Sequence, residues 1–300
     1  MRGDVVAGDL LAWVDAACGQ SFWRELAPDM TLDGPPAAPL IPMDGAKRDE
    51  LWNDLLTNGY FQLEPLLPPD QVQRMARALL RLREADIPMV FLYVWDEPWH
   101  LSAQLGGVLA ALLGPDFRSL PDFWAWCIDP RKQEKGWHPH RDLGCASLLP
   151  NGQPISLSLW VPLTDATTEN GCMYVLPACR DRHYLAREDK NDVADVQEIR
   201  ALPARAGSVL GWTQALLHWG SRASERAHAP RMSFSIEYQR GDHTGFNAPL
   251  LDPSAPPPFE RRLGLIGKQI LQYRHMYTLG PGFDDVAREL VARFPPGQGA

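Results

Sequence analysis

Residues 155–163 read Ile-Ser-Leu-Ser-Leu-Trp-Val-Pro-Leu, and this nonapeptide decides the fold class. Ile155, Leu157, Leu159, Val161 and Leu163 fall on one face, and Ser156, Ser158, Trp160 and Pro162 on the other. Successive side chains of a strand leave on opposite sides, so a period of two predicts a strand with one face set in a core. The same period returns at 231–239, where Met232, Phe234, Ile236 and Tyr238 alternate with Arg231, Ser233, Ser235 and Glu237. Shorter strand candidates lie at 123–128, 172–176, 207–212 and 215–219. From about residue 121 to 240 turns separate these runs, and no helical pattern intervenes. That arrangement predicts an all-β sandwich or barrel.

The flanks have the other periodicity. Helices are expected at 9–18, at 46–58 (Leu51, Leu55 and Leu56 on one face, Gly59 as the stop), and from a capping Asp70 to about Ala85. Arg74, Arg77 and Arg81 on that third helix fit a solvated face better than an anion site. Tyr60 to Leu63 and the apolar run Met89 to Trp95 are expected as strands, and 101–113 as a helix ended by Gly114-Pro115. After a Pro-rich connector, two more helices are expected at 259–273 and 283–294. Their stripes Leu263, Ile266, Ile270 and Val286, Leu290, Val291 must be buried on the barrel or on a second subunit, so a homodimer through these helices is one expectation. The division that follows is an N-terminal extension (1–45), a core domain with flanking helices (46–245) and a C-terminal helical extension (246–300). The charged stretch 180–200, with Arg187, Glu188, Asp189, Lys190, Asp192 and Asp195, is the expected lid.

Composition narrows the classes. With 45% hydrophobic and 22% charged residues the chain can bury a sizeable core. A net charge of −8 argues against nucleic acid or an anionic membrane surface as partner. Five cysteines, odd in number and without a CxxC pair, point to reduced thiols. No apolar run reaches the roughly 18 residues of a membrane span, and no signal pattern precedes Asp9, so a cytoplasmic protein is expected.

The chemistry centres on Gly136 to Gly144, GWHPHRDLG. His140 and Asp142 are two residues apart, so in an extended segment both leave on one face. An imidazole and a carboxylate there make two corners of a site suited to non-haem iron if a second histidine arrives from elsewhere. His218, in the apolar run ALLHWGS, is the best third ligand, 218 − 140 = 78 residues later. His138 is its rival, because His138-Pro139-His140 could form an HxH pair, although no glutamate follows at the spacing such a pair needs. Arg231, 13 residues past His218, shares the polar face of its strand with Ser233 and Ser235. A guanidinium on an inward face needs an anion, either a bound carboxylate gripped through two parallel hydrogen bonds or a neighbour such as Glu237. Ser233 is a further candidate for holding the same ligand.

From about Trp52 to Gln239 these pieces, in order, resemble the phytanoyl-CoA dioxygenase family of Fe(II)/2-oxoglutarate oxygenases. They are Asn58-Gly59-Tyr60-Phe61, the helix at 70–85, HxD at 140–142, Trp160 to Asp165 (W-x-P-L-x-D), NGCMYVLP at 170–177, AGSVLGW at 206–212, His218 and Arg231. The resemblance implies a mostly β core, a double-stranded β-helix (jelly roll, cupin-like barrel) flanked by α-helices. It implies His140, Asp142 and His218 as catalytic iron ligands and Arg231 on the distal carboxylate of 2-oxoglutarate. It also sets Trp160 and Trp126 beside that cosubstrate. Two positions after the distal histidine, where the family often has a small or hydroxyl residue touching 2-oxoglutarate, this chain has Gly220. The implied cofactors are Fe(II), 2-oxoglutarate and O2, and the implied reaction hydroxylates an unactivated C–H of a small organic molecule with decarboxylation of 2-oxoglutarate to succinate. Family members that halogenate lack the carboxylate ligand, so Asp142 points to hydroxylation, desaturation or rearrangement. A jelly-roll binding protein without oxygenase activity is the alternative.

Overall fold

The computed structural model describes residues 7–35, 37–132, 134, 136–186, 190–191, 193, 195–277 and 282–297, with the side chains described from Leu11 onward. Its centre is the pair of alternating strands. β3 (Ser156–Pro162) and β8 (Arg231–Gln239) run antiparallel in register, Ser158 opposite Glu237 and Trp160 opposite Ser235. Around them β1 (Tyr60–Leu63), β6 (Val209–Thr213) and β2 (Arg118–Ile128) complete a five-stranded sheet of order β1-β6-β3-β8-β2. β4 (Met173–Leu176), β5 (Arg200–Leu202) and β7 (Leu217–Gly220) form a second sheet, β5-β4-β7. All pairings are antiparallel, and the two sheets do not close into one barrel.

Both faces of β3 and β8 are buried, for different reasons. The apolar face meets helices: α4 (Pro69–Glu84), α7 (Phe259–Gln272) and the buried run 89–94 share one core with Leu157, Leu159, Phe234 and Ile236. The polar face turns toward the small sheet and holds the candidate site. α1 (Ala7–Ala17), α2 (Gln20–Leu26), α3 (Gly45–Asn58), α5 (Glu97–Gln104), α6 (Gly106–Leu113) and α8 (Phe283–Arg293) surround the helical side. Asp44 caps α3 by accepting from the Lys47 amide at 2.8 Å, and Gly59 ends it at φ +79°, a conformation that favours glycine.

Several expectations give way here. Met89–Val94 is a 3₁₀ segment, not a strand. It is apolar on every side, so no alternation could distinguish the two, and Tyr93 anchors it across the sheet by donating to the Ser235 carbonyl. The helix expected at 101–113 is two helices broken at Leu105, where the Gly107 backbone passes so close to Met43 that a Cβ would lie 3.3 Å from it. Asp70 sits inside the first turn of α4 rather than capping it, and pairs with Arg74 at 2.6 Å. Leu56 is exposed, away from its helix-mates Leu51 and Leu55. Arg77 and Arg81 both bind Asp29. Leu263, Ile266, Ile270, Val286 and Leu290 are buried within the chain, because Gly264 and Gly267 let α7 and α8 pack backbone to backbone. No described helix is long and apolar enough to cross a membrane.

Candidate metal centre

The strand register lays the polar face of β8 out as rows. Ser233 lies between Trp126 of β2 and Pro162 of β3, and Ser235 between Trp124 and Trp160. Glu237 lies beside Ser158. Arg231 stands at one end of this column and Glu237 near the other, about 20 Å apart at the usual strand rise.

Facing the column, the HxD segment is laid along β7. His140 donates its amide to the His218 carbonyl at 3.1 Å, and His218 returns the bond at 3.0 Å. This bridge sets the two imidazoles side by side, ring centroids 4.4 Å apart. Each Nδ1 is paired with a carbonyl two residues back, His138 O for His140 at 2.8 Å and Leu216 O for His218 at 3.0 Å. Each Nε2 is therefore turned inward, and the two approach Asp142 Oδ1 to 3.5 and 3.6 Å. The other oxygen, Oδ2, accepts from Ser158 Oγ at 2.9 Å and from the Trp212 indole at 3.3 Å. His140, Asp142 and His218 thus offer three ligand atoms within 4.8 Å of one another. Two imidazole nitrogens and one carboxylate oxygen on one side of a point, with the opposite side facing a cleft, suit a six-coordinate non-haem iron with positions to spare.

The electrostatics agree. Burial opposes ionisation of Asp142, yet His218, His140 and the Ser158 hydroxyl hold its carboxyl well below the usual carboxylate range. Burial pulls His218 down to about 4, only partly offset by Asp142. His218 is therefore neutral and its Nε2 lone pair available at neutral pH. His138 contributes its carbonyl to orienting His140, and its side chain lines an outer groove instead of joining the cluster.

Arg231 is 3% exposed and, among the described residues, has no carboxylate partner. Burial pulls its pKa down to about 10. Nη1 donates to the Gly171 carbonyl, Nε has no partner, and the guanidinium carbon lies 5.8 Å from the Trp160 ring centre. The expected alternative, an ion pair with Glu237, does not form. Ser233 Oγ is likewise buried without a partner. A guanidinium and a hydroxyl buried with unused donors fit a small carboxylate ligand. Gly220 packs against this arginine: a Cβ there would come within 3.0 Å of Nη1.

The three converging residues, Arg231, Trp160 and Trp126 line one cleft of about 60 Å³, together with Ser158, Trp212, Glu237, Trp124, Trp137 and Met276. An outer groove walled by Trp124, Trp126, Trp137, Met276 and Tyr277 leads into it. Ser158 and Trp212 escaped the sequence reading, although both sit on the inward face of alternating strands next to residues that were found. Met276 had no signal at all, because it comes from the C-terminal extension. No described residue of 180–200 lines either space, whereas 276–277 do; Arg187, Glu188, Asp189 and Asp192 of the expected lid lie outside the described residues.

Residues 94–231 match the family model of phytanoyl-CoA dioxygenase (PhyH). Over that domain the chain is similar to the phytanoyl-CoA dioxygenase family. That domain spans the HxD segment, His218 and, as its final residue, Arg231. No curated protein matches the chain in sequence. Among solved structures, AviO1 from Streptomyces viridochromogenes Tue57 is similar at 20% identity, with 74% of this chain and 100% of that one covered and a TM-score of 0.51. The non-heme monooxygenase ThoJ in its Ni complex is similar at 20% identity, with 81% and 96% covered and a TM-score of 0.50. The epimerase SnoN, in complex with Fe3+, alpha ketoglutarate and nogalamycin RO, is similar at 19% identity, with 71% and 96% covered and a TM-score of 0.50. At such identities these likenesses establish a shared fold alone, a jelly-roll core with flanking helices.

Proposed function

We propose that the protein is an Fe(II)/2-oxoglutarate-dependent dioxygenase that hydroxylates, desaturates or rearranges an unactivated C–H of a small organic molecule. The observation that carries this reading is the convergence of His140 Nε2, His218 Nε2 and Asp142 Oδ1 in a cleft that also holds a buried arginine without a counter-ion. The family domain supports it. His140, Asp142 and His218 would hold the iron. Arg231 would hold the distal carboxylate of 2-oxoglutarate, Ser233 would add a hydroxyl, and Trp160 and Trp126 would wall the cosubstrate. When bound, the iron and its cosubstrate supply an oxidation in which O2 and 2-oxoglutarate yield succinate, CO2 and oxidised product.

The chain's own contribution is positional. Ser158 and Trp212 occupy one oxygen of Asp142 and leave the other for the metal. The carbonyls of His138 and Leu216 fix the imidazole rotations, which raises their fitness as ligands. Trp124, Trp126 and Trp137 keep water from the cleft and give a substrate body a surface to lie on. The acidic net charge and small, aromatic-walled cleft favour a small molecule over nucleic acid as substrate. A cytoplasmic enzyme, with 46–245 as oxygenase domain and 1–45 and 246–300 as extensions packed on it, completes the reading.

The test is iron-dependent formation of succinate from 2-oxoglutarate, screened against a panel of metabolites. Succinate that appears only with iron, and is stimulated by one class of compound, is the expected result. Tight metal binding without 2-oxoglutarate turnover under any panel member would identify a jelly-roll binding protein instead.

A further inference from the structure

Glu237 has no part in holding either the metal or the cosubstrate, yet it lines the cleft and is only 7% exposed. It sits opposite Ser158, whose hydroxyl serves Asp142, and beside the β-bulge of β2 that carries a second buried acid, Asp122. Asp122 is provided for: Tyr273 Oη and Asn247 Nδ2 donate to it, and Lys268 lies close by. Glu237 has hydrogen bonds with the Gln214 amide and the Ser158 hydroxyl, but no cation partners it among the described residues. Burial, with Asp122 and Asp142 near, pushes its carboxyl well above the usual range. The one arginine or lysine lining the cleft is Arg231, far along the strand.

In the function proposed above, the two charges of the metal and the guanidinium are matched by the two carboxylates of 2-oxoglutarate and by Asp142. A fully loaded site therefore leaves Glu237 as an acid with no counter-charge. The wall next to it is aromatic: Trp124 and Trp126 are stacked in parallel, centroids 6.4 Å apart and 7° between planes, with Trp137 also lining the cleft. A buried carboxyl held protonated in the absence of a cation ionises when an ammonium group is set against it, and the indole faces beside it add cation–π attraction to that charge-assisted hydrogen bond.

We propose that Glu237 is the specificity-determining residue of the cleft, and that it selects a substrate carrying a basic nitrogen on an aromatic or apolar body. The inference rests on the dioxygenase reading for its charge balance, and its test separates the two.

Calorimetry compares tryptamine with its neutral isostere tryptophol on protein loaded with Fe(II) and 2-oxoglutarate without oxygen. Wild-type protein is expected to bind the amine at least ~10-fold more tightly than the alcohol. Glu237→Gln should bind the two alike, while Glu237→Asp keeps part of the preference. Equal affinities in the wild type, no binding of tryptamine, or a preference that survives in Glu237→Gln each overturns the proposal. The wild-type contrast needs no variant to fold. The visible absorption of the Fe(II)–2-oxoglutarate complex is recorded on the same samples: a normal complex without amine preference sinks this inference alone. A missing complex sinks the dioxygenase reading, and the same comparison on metal-free protein then judges Glu237 by itself.

Discussion

At Asp142 the two carboxylate oxygens have different duties, since Oδ2 is taken by Ser158 and the Trp212 indole while Oδ1 faces the two imidazoles. This division predicts a graded response to substitution. His140→Ala, His218→Ala and Asp142→Ala should each abolish iron retention after gel filtration, measured as iron per chain, from an expected value of one. Trp212→Phe, which removes only the orienting donor, should weaken iron binding roughly 10-fold. His138→Ala should leave it unchanged, because the backbone carbonyl that orients His140 survives; loss of iron in that variant would move the ligand set to the HxH pair. For Arg231, even Lys cannot reproduce the paired donors, so Arg231→Lys should weaken 2-oxoglutarate binding by about two orders of magnitude with iron still bound. Binding titrations followed by absorption would show it. His140 and Asp142 were singled out in the sequence by their HxD spacing, His218 and Arg231 as costly residues in strands, and the family resemblance joined the four. Trp212 and Ser158 were not singled out, because an inward tryptophan or serine is as easily explained by packing, and only the distances to Asp142 give them their role.

The site depends on elements meeting closely, and one crossing is decisive. Gly136, where the HxD segment begins, lies against the Gly220 backbone at the end of β7, and a Cβ on it would fall 2.4 Å from the Gly220 carbonyl oxygen. Gly136→Ala must push the segment off β7 and loosen the paired His140–His218 hydrogen bonds. A loss of about 1–3 kcal/mol in denaturant unfolding, accompanied by weaker iron binding, is expected. Unchanged stability would mean that the segment is held elsewhere. Strands with a clear period of two, β3 and β8, were placed by the sequence to within a residue. The run at 89–94 was not, since an all-apolar hexapeptide has no period to read and its 3₁₀ form is imposed by the elements around it. The break at Leu105 had a local sign in Gly106-Gly107, whereas the approach of the 41–43 segment to Gly107 is something no local pattern reveals.

Across the molecule, the groove is lined by the C-terminal extension and by no described residue of the charged stretch 180–200. Met276 and Tyr277 line it, Tyr273 donates to Asp122 in the buried acidic group, and α7 is fixed to the helical core by the buried Arg262–Asp96 pair. Hydrogen exchange should therefore show protection gained at 273–277 when substrate binds. Protection confined to 180–200 would restore that stretch as the lid. The sequence showed that the C-terminal helices must be buried but could not show what lay next to them, because the contact joins residues more than a hundred positions apart.

The tryptophan lining has an optical consequence. Five of the eleven indoles, Trp124, Trp126, Trp137, Trp160 and Trp212, line the cleft, and Trp212 both bonds Asp142 and lies 4.8 Å from the His218 ring. Nearly half of the chain's ultraviolet emitters therefore surround the point where a metal would sit. Open-shell Fe(II) should darken a large part of the native fluorescence, whereas closed-shell Zn(II) in the same ligands should leave it mostly intact. The protein would then report its own metal occupancy in light, without any label, and Trp212→Phe would take away a disproportionate share of the signal.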